Sequence, residues 1–356
     1  MQIPTPALDP QRQEGMPVTD ERRALASAGD EPTQPIPRAL IDAPDHADQD
    51  QADLSVWTTA QVAPATQRKG KYTPESTAHP AKMLPDVARH AIEHYTRPGE
   101  LVLDPMCGIG TTLVEAVHLG RRAVGVEYEP HWVAVTRSNL ELAHEEGIDH
   151  DARVIQGDAR QLLTLLPQEY VGQAALVVTS PPYGPSTHGR VAVAPSEGIQ
   201  KYWHRYGSAL DRGNLANIGH HRLLAGFTRI LVGLRTFLQP GGHVVVTIRP
   251  WREHSELIDL PAQILACGRA AGLIPTERNV ALLARAAETD LVARGSFFQR
   301  DFIRKQREVG LPLHLIAHED VVVFRIAQHP TNAAPSAKLS PPRLAHERSR
   351  NTGWAA

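Results

Sequence analysis

Three short apolar runs, at 101–103, 123–126 and 174–178, and a mixed strand at 153–156 succeed one another along the middle of the chain, and each stops at a polar or proline-rich turn. Between them lie stretches with apolar residues at helical spacing, such as Trp132, Val133, Val135 and Leu140 within 130–144. Buried runs that alternate with helices indicate a parallel sheet, because a crossover helix brings the chain back to lay the next strand in the same direction. The expected fold class is therefore α/β, with an open, mostly parallel sheet. The carboxyl ends of strands in such a sheet face one crevice. Asp104, Glu127, Asp158 and the turn Thr179-Ser180-Pro181-Pro182-Tyr183-Gly184 follow these four segments and are expected to converge there.

The first of these turns is Asp104-Pro105-Met106-Cys107-Gly108-Ile109-Gly110-Thr111-Thr112, which leads into a helix reaching about Leu119. Gly108 and Gly110 let a ligand approach the backbone closely, and the helix behind them presents free N–H groups. Glu127 lies about twenty residues farther on, where a carboxylate can accept from the two hydroxyls of a ribose. Asp158 is placed to accept from an adenine amino group and equally to cap the helix expected over 159–166.

The fourth turn has a different chemistry. Two prolines have no N–H to donate, so the strand must leave its ladder at Pro181 and Pro182. The turn then offers a small hydroxyl, backbone carbonyls and an aromatic face, which suit a flat ring bearing an exocyclic amino group. Acceptors at Ser180 and at the Pro181 carbonyl would take the amine hydrogens and aim its lone pair. Tyr183 would stack on the ring and stabilise positive charge growing on the nitrogen. By itself the same tetrapeptide reads more readily as a rigid surface turn.

The remaining chain frames this centre. Helices are expected over 85–95, 217–237 and 257–271, and further strands over 243–248, 274–283 and 320–326. Residues 1–51 and 328–356 are proline-rich, poor in large apolar side chains and without periodicity, so both are expected to be disordered tails around a domain at 52–327. Two insertions, about 185–214 and 285–319, interleave basic and aromatic residues. Arg205 in the first and Arg294, Arg300, Arg304 and Lys305 in the second are candidate nucleic-acid contacts, or else solvated surface charge. A net charge of -2 decides nothing about such a partner. Two distant cysteines and scattered histidines give no metal-ligand spacing and fit a reducing cytoplasm. No leader and no apolar run of membrane length is read, and nothing in the sequence fixes an oligomeric state.

Asp104-Pro105 with Gly108 and Gly110, then Glu127, Asp158 and Thr179-Ser180-Pro181-Pro182-Tyr183, together resemble the ordered motifs of the S-adenosylmethionine-dependent amino-methyltransferases of DNA, the cytosine-N4 and adenine-N6 family. The resemblance spans about 77–324 and implies a doubly wound, seven-stranded, mostly parallel sheet of the Rossmann-like class I kind. Its last strand is antiparallel and forms a hairpin with the sixth. It implies S-adenosylmethionine as cofactor, held by Asp104, Gly108, Gly110 and Glu127 with their neighbours Pro105, Cys107, Thr111 and Tyr128, and by Asp158 at the adenine. His79 and Lys82, in His79-Pro80-Ala81-Lys82, resemble the segment beside the methionine end. Cys107 is expected to pack rather than attack. Ser180, Pro181, Pro182 and Tyr183 would hold the amine of a base flipped from its stack.

A serine heading the tetrapeptide is the form associated with cytosine N4, with adenine N6 the next choice. Neither insertion is a full-sized recognition domain, which leaves strict sequence specificity without an obvious source. A tRNA guanine-N2 methyltransferase and a catalytically idle binding protein of the same fold are the alternatives.

Overall fold

A computed structural model of the protein describes residues 54–79, 81–182, 190–194, 198–202, 211, 213–253, 256–294, 297–311 and 313–326. In chain order the elements are β1 (Val56–Trp57), α1 (Pro64–Arg68), α2 (Pro85–Tyr95), β2 (Leu101–Asp104), α3 (Thr111–His118), β3 (Arg122–Glu127), α4 (Pro130–Glu145), β4 (Ala152–Gln156), α5 (Leu162–Leu165) and β5 (Ala174–Thr179). There follow β6 (Arg190–Ala194), β7 (Gly198–Tyr202), α6 (His220–Leu234), β8 (Leu238–Ile248), β9 (Trp251–Glu253), β10 (Glu256–Ile258), α7 (Leu260–Ala270), β11 (Ile274–Leu282), β12 (Ala284–Ala286), β13 (Leu291–Ala293), α8 (Phe297–Glu308) and β14 (His318–Arg325).

The main sheet has the order β1-β11-β14-β8-β5-β2-β3-β4. β14 runs antiparallel to both β8 and β11, and every other neighbouring pair in this sheet is parallel. The order reverses between β2 and β5, so the connections leave the sheet in opposite directions there and open a crevice.

Why the strands read as continuous apolar runs is visible in their packing. β2 and β5 are buried at every position. Leu101, Leu103, Val177, Val244 and Val246 face α6 and α7 on one side, with Phe227, Ile230 and Ile264. Val102, Leu176, Val178 and Val245 face the other side, where Val87, Ile92, Leu113 and Val133 come from α2, α3 and α4. A strand covered on both faces has no polar side to alternate with.

Four details depart from the sequence reading. Val56–Trp57 adds an eighth, two-residue strand at the β11 edge, pairing Val56 with Val280. The segment Gln239-Pro240-Gly241-Gly242, which falls between the helix expected to 237 and the strand expected from 243, lies inside β8 as a bulge, between the pairs Ala174↔Leu238 and Leu176↔His243. Gly241 there has φ +79°, a conformation that glycine adopts without strain. The helix expected over 217–237 is shorter, because a 3-10 turn at Leu215–Asn217 precedes α6. β11 and β14 do pair antiparallel, but β12, β13 and α8 lie in their connection, so they are not a tight hairpin.

Candidate active site

A cleft of about 940 Å³, open mouth included, spans the carboxyl ends of β2, β3, β4 and β5. Its lining takes Asp104 with 105–109, Thr111 and Thr112 from the first turn, Glu127, Tyr128 and Glu129 from the second, and Gly157, Asp158 and Ala159 from the third. Ser180, Pro181 and Pro182 come from the fourth, His79, Ala81, Lys82 and Met83 from the segment before α2, and 213–216 from the segment before α6. Gly108 and Pro181 thus open onto one space. Met106, Glu129 and Asn214 to Ala216 were not singled out in the sequence. For Asn214 a signal existed, since it is a good helix-capping residue standing before Leu215.

Asp104 is the junction of the site. Its Oδ1 accepts from the Met106 amide at 3.0 Å and from the Thr179 hydroxyl at 2.9 Å, and its Oδ2 accepts from the Thr112 hydroxyl at 2.7 Å. One carboxyl group therefore ties β2, the start of α3 and the end of β5. Burial pushes its pKa up to about 6, against the lowering effect of the three hydrogen bonds.

The glycine turn is shaped from behind. The Thr136 hydroxyl donates to the Gly108 carbonyl at 2.7 Å, and buried Asn139 donates to the Ile109 carbonyl at 2.8 Å. Gly110 has φ +79°, and a Cβ there would lie 2.6 Å from Thr136 Cγ2, so no side chain fits without shifting α4. At Gly108, with φ +55°, a Cβ would sit 3.2 Å from His79 Nε2. His79 is itself buried edge-on against Trp132, ring centroids 4.5 Å apart. Lys82 bends back so that its Nζ donates to the carbonyls of His79 and Thr77. Cys107 is buried, its thiol pushed up by that burial, and it packs where a Cβ on Gly125 would meet its sulfur at 2.8 Å.

Glu127 accepts from the Gly108 amide at 2.9 Å and from the Glu129 amide at 2.8 Å. Burial outweighs these bonds and raises its pKa to about 7. The folded form therefore keeps a proton that the unfolded chain gives up near pH 4.5, and the associated stability is lost as pH rises through 7. His243, lowered by burial to about 4, has the opposite sign and must be subtracted. Unfolding in urea at a series of pH values, on wild type and Glu127→Gln, makes that subtraction. Wild type is expected to lose on the order of 2 kcal/mol relative to the variant between about pH 5.5 and 8. A difference independent of pH would show that Glu127 titrates normally.

Asp158 caps the turn Ala159–Gln161 through the Arg160 amide, and the Arg160 guanidinium forks onto both its oxygens. The capping role is thus the one observed, and the adenine role meets a side chain already engaged by its neighbour. The Ser180 hydroxyl is half-exposed and has no hydrogen bond among the described residues, and Pro181 is buried. Tyr183 and Arg205 lie outside the described residues. Arg294 donates to the carbonyls of Ala60 and Gln61, and Arg300 to that of Ala293. Arg304 and Lys305 pair with Asp301 on their own helix, at 2.6 and 2.8 Å. Of the four basic residues of α8, Arg304 and Lys305 are paired with carboxylates of their own helix, while Arg300 and Arg307 have no such ion pair among the described residues. Among the described residues no helix is long and apolar enough to cross a membrane.

A family model for N6/N4 DNA methylases, described as DNA methylase, matches residues 12–138, and one for RNA cap guanine-N2 methyltransferases matches 99–191. A tRNA (guanine(10)-N2)-dimethyltransferase of Methanocaldococcus jannaschii is 34% identical over 110 residues, 31% of this chain and 31% of that protein. The type II methyltransferase M2.DpnII of Streptococcus pneumoniae is 32% identical over 90 residues, 25% of this chain and 31% of that one. The matches thus span about a third of the length of these curated relatives. The solved structure of TrmN from Thermus thermophilus aligns at 17% identity over 73% of this chain and 53% of that one, with a TM-score of 0.42.

Proposed function

We propose that this chain is an S-adenosylmethionine-dependent methyltransferase that modifies an exocyclic amino nitrogen of a nucleic-acid base, with cytosine N4 of DNA first and adenine N6 second. The single observation that carries the reading is the cleft shared by Gly108 and Pro181. It puts a backbone cradle without side chains on one wall and hydrogen-bond acceptors for an amine on the other.

The cleft fits the cofactor on two counts. Gly108 contributes backbone without a side chain to the lining, which allows close approach. The lining also carries four carboxyl groups, Asp104, Glu127, Glu129 and Asp158, and one lysine. Asp158 is already paired with Arg160 and Glu127 is raised to about 7, so Asp104 and Glu129 are the acidic groups left to favour a ligand bearing a sulfonium and an ammonium. When bound, the cofactor supplies a methyl group activated by the adjacent positive sulfur.

The chain's own residues do the rest. Glu127 holds the Gly108 amide and keeps lone pairs for ribose hydroxyls. His79 and Lys82 close the methionine end, with Pro105, Cys107, Thr111 and Tyr128 along the walls. Ser180 and the Pro181 carbonyl accept the amine hydrogens, drawing the nitrogen toward tetrahedral geometry. Pro182 keeps the turn rigid, and Tyr183 is assigned the stacking face. Catalysis by such a site is chiefly positioning, with electrostatic support for the charge that develops on the nitrogen. Arg205, Arg294, Arg300, Arg304 and Lys305 remain candidates for contact with the polymer.

The relatives named for tRNA guanine N2 favour a second reading, transfer to that amine in RNA. The nitrogen is equally a ring-conjugated amine, so the same acceptors serve. Transfer of tritiated methyl groups to DNA, to total tRNA and to no polymer, followed by mass spectrometry of nucleosides, separates the cases. The expected result is N4-methylcytosine in DNA. N2-methylguanosine in tRNA would establish the second reading, and no transfer to either would indicate an idle binding protein.

A further inference from the structure

One wall of the cleft comes from no strand end. It is formed by 213–218 ahead of α6, and three separate ties hold this segment and Asp211 to the cofactor half. The Tyr128 hydroxyl hydrogen-bonds Asp211. Asn214 Nδ2 donates to Glu129 Oε1 at 2.7 Å. Arg160 stands between the two walls: its Nε and Nη2 reach the Asp158 oxygens at 2.9 and 2.8 Å, and Nη2 also donates to the Gly213 carbonyl at 2.6 Å. The segment is braced internally as well, since the Gly213 amide donates to Asp211 at 2.8 Å and the Ala216 amide to the Asn214 side chain at 2.9 Å. Contact with Tyr128 is close enough that a Cβ on Gly213 would strike its hydroxyl.

We propose that 213–216 is a strap forming the adenine-facing wall of the cofactor pocket, and that Arg160 is the positioning residue that fastens it there. The inference rests on the methyltransferase reading of the cleft and deepens it. Asp158 is a poor candidate for the adenine contact because its carboxylate already accepts the Arg160 amide and the guanidinium fork. Burial alone would raise its pKa, but the bonds from Arg160 prevail and hold the carboxyl below its ordinary range. A carboxylate so engaged has little left to offer a neutral amino group. Arg160 therefore uses Asp158 as an anchor, and Gly213, Leu215 and Ala216 are what reach the lining.

The test is calorimetric titration of the full chain with S-adenosylhomocysteine, together with amide hydrogen exchange, on wild type, Arg160→Ala and Arg160→Lys. Arg160→Ala is expected to weaken binding at least tenfold. Arg160→Lys should not restore it, because one ammonium cannot hold two carboxylate oxygens and a carbonyl in the fork's geometry. Exchange at 213–217 should quicken in Arg160→Ala before ligand is added, while exchange in β2 and β5 stays at the wild-type rate. That contrast distinguishes a loosened strap from a general loss of structure. Wild-type affinity with unchanged exchange at the strap would overturn the inference and leave the methyltransferase reading intact. Tighter binding by Arg160→Ala would also overturn it, since it is the result expected if the arginine merely withholds Asp158 from the adenine. Failure of the wild-type chain to bind S-adenosylhomocysteine at all would remove both.

Discussion

Asp104→Ala is expected to abolish binding of S-adenosylhomocysteine and to lower the unfolding free energy by about 3–5 kcal/mol, the range for leaving several buried donors unsatisfied. The effect is large because the carboxyl group accepts from three elements at once: the Met106 amide in the glycine turn, the Thr112 hydroxyl on α3 and the Thr179 hydroxyl ending β5. Asp104 and both hydroxyls are buried, so water cannot readily replace the lost acceptor. Both halves of the cleft then lose their common reference point. Asp104→Asn keeps an acceptor oxygen and should cost less than half as much. Urea unfolding of the two variants with calorimetric titration checks the prediction. An Asp104→Ala protein within 1 kcal/mol of wild type that still bound the ligand would show that the junction is dispensable.

The second large effect is in rate rather than stability. Ser180→Ala is expected to lower single-turnover methyl transfer about a hundredfold or more, the scale seen when one preorganised hydrogen-bonding group is removed from a transition state. Affinity for S-adenosylhomocysteine and the unfolding midpoint should be nearly unchanged. The asymmetry follows from the structure. Thr179, one residue earlier, spends its hydroxyl on Asp104, whereas the Ser180 hydroxyl has no hydrogen bond among the described residues. Its removal therefore leaves no partner unpaired among the described residues. If Ser180→Ala transferred methyl groups within threefold of wild type, the hydroxyl would not be the amine's acceptor. The Pro181 carbonyl would then carry that part alone.

The sequence by itself determined the layered α/β architecture and the order of its polar turns. Both are local consequences: continuous apolar runs mark strands buried on two faces, and prolines, glycines and capping residues stop them at particular places. Helix α2 begins at Pro85 as expected, because proline suits a first helical position, and ends at Tyr95 before Arg97-Pro98-Gly99. What local rules could not determine were the partnerships across the fold. Asp104 looked like a cofactor ligand, yet its oxygens accept from residues as far away as Thr179. Asp158 reads as a cap or as an adenine acceptor; it caps the turn, and the Arg160 guanidinium takes its remaining acceptor capacity. Two of the four basic residues of α8, Arg304 and Lys305, pair with Asp301 and Glu308 once the run is wound into a helix. Only tertiary structure brought Gly213 to Arg160 and Asn214 to Glu129, pairs separated by 53 and 85 residues. A hydrogen bond depends on angstroms in space, and spacing along the chain fixes that distance only within an element.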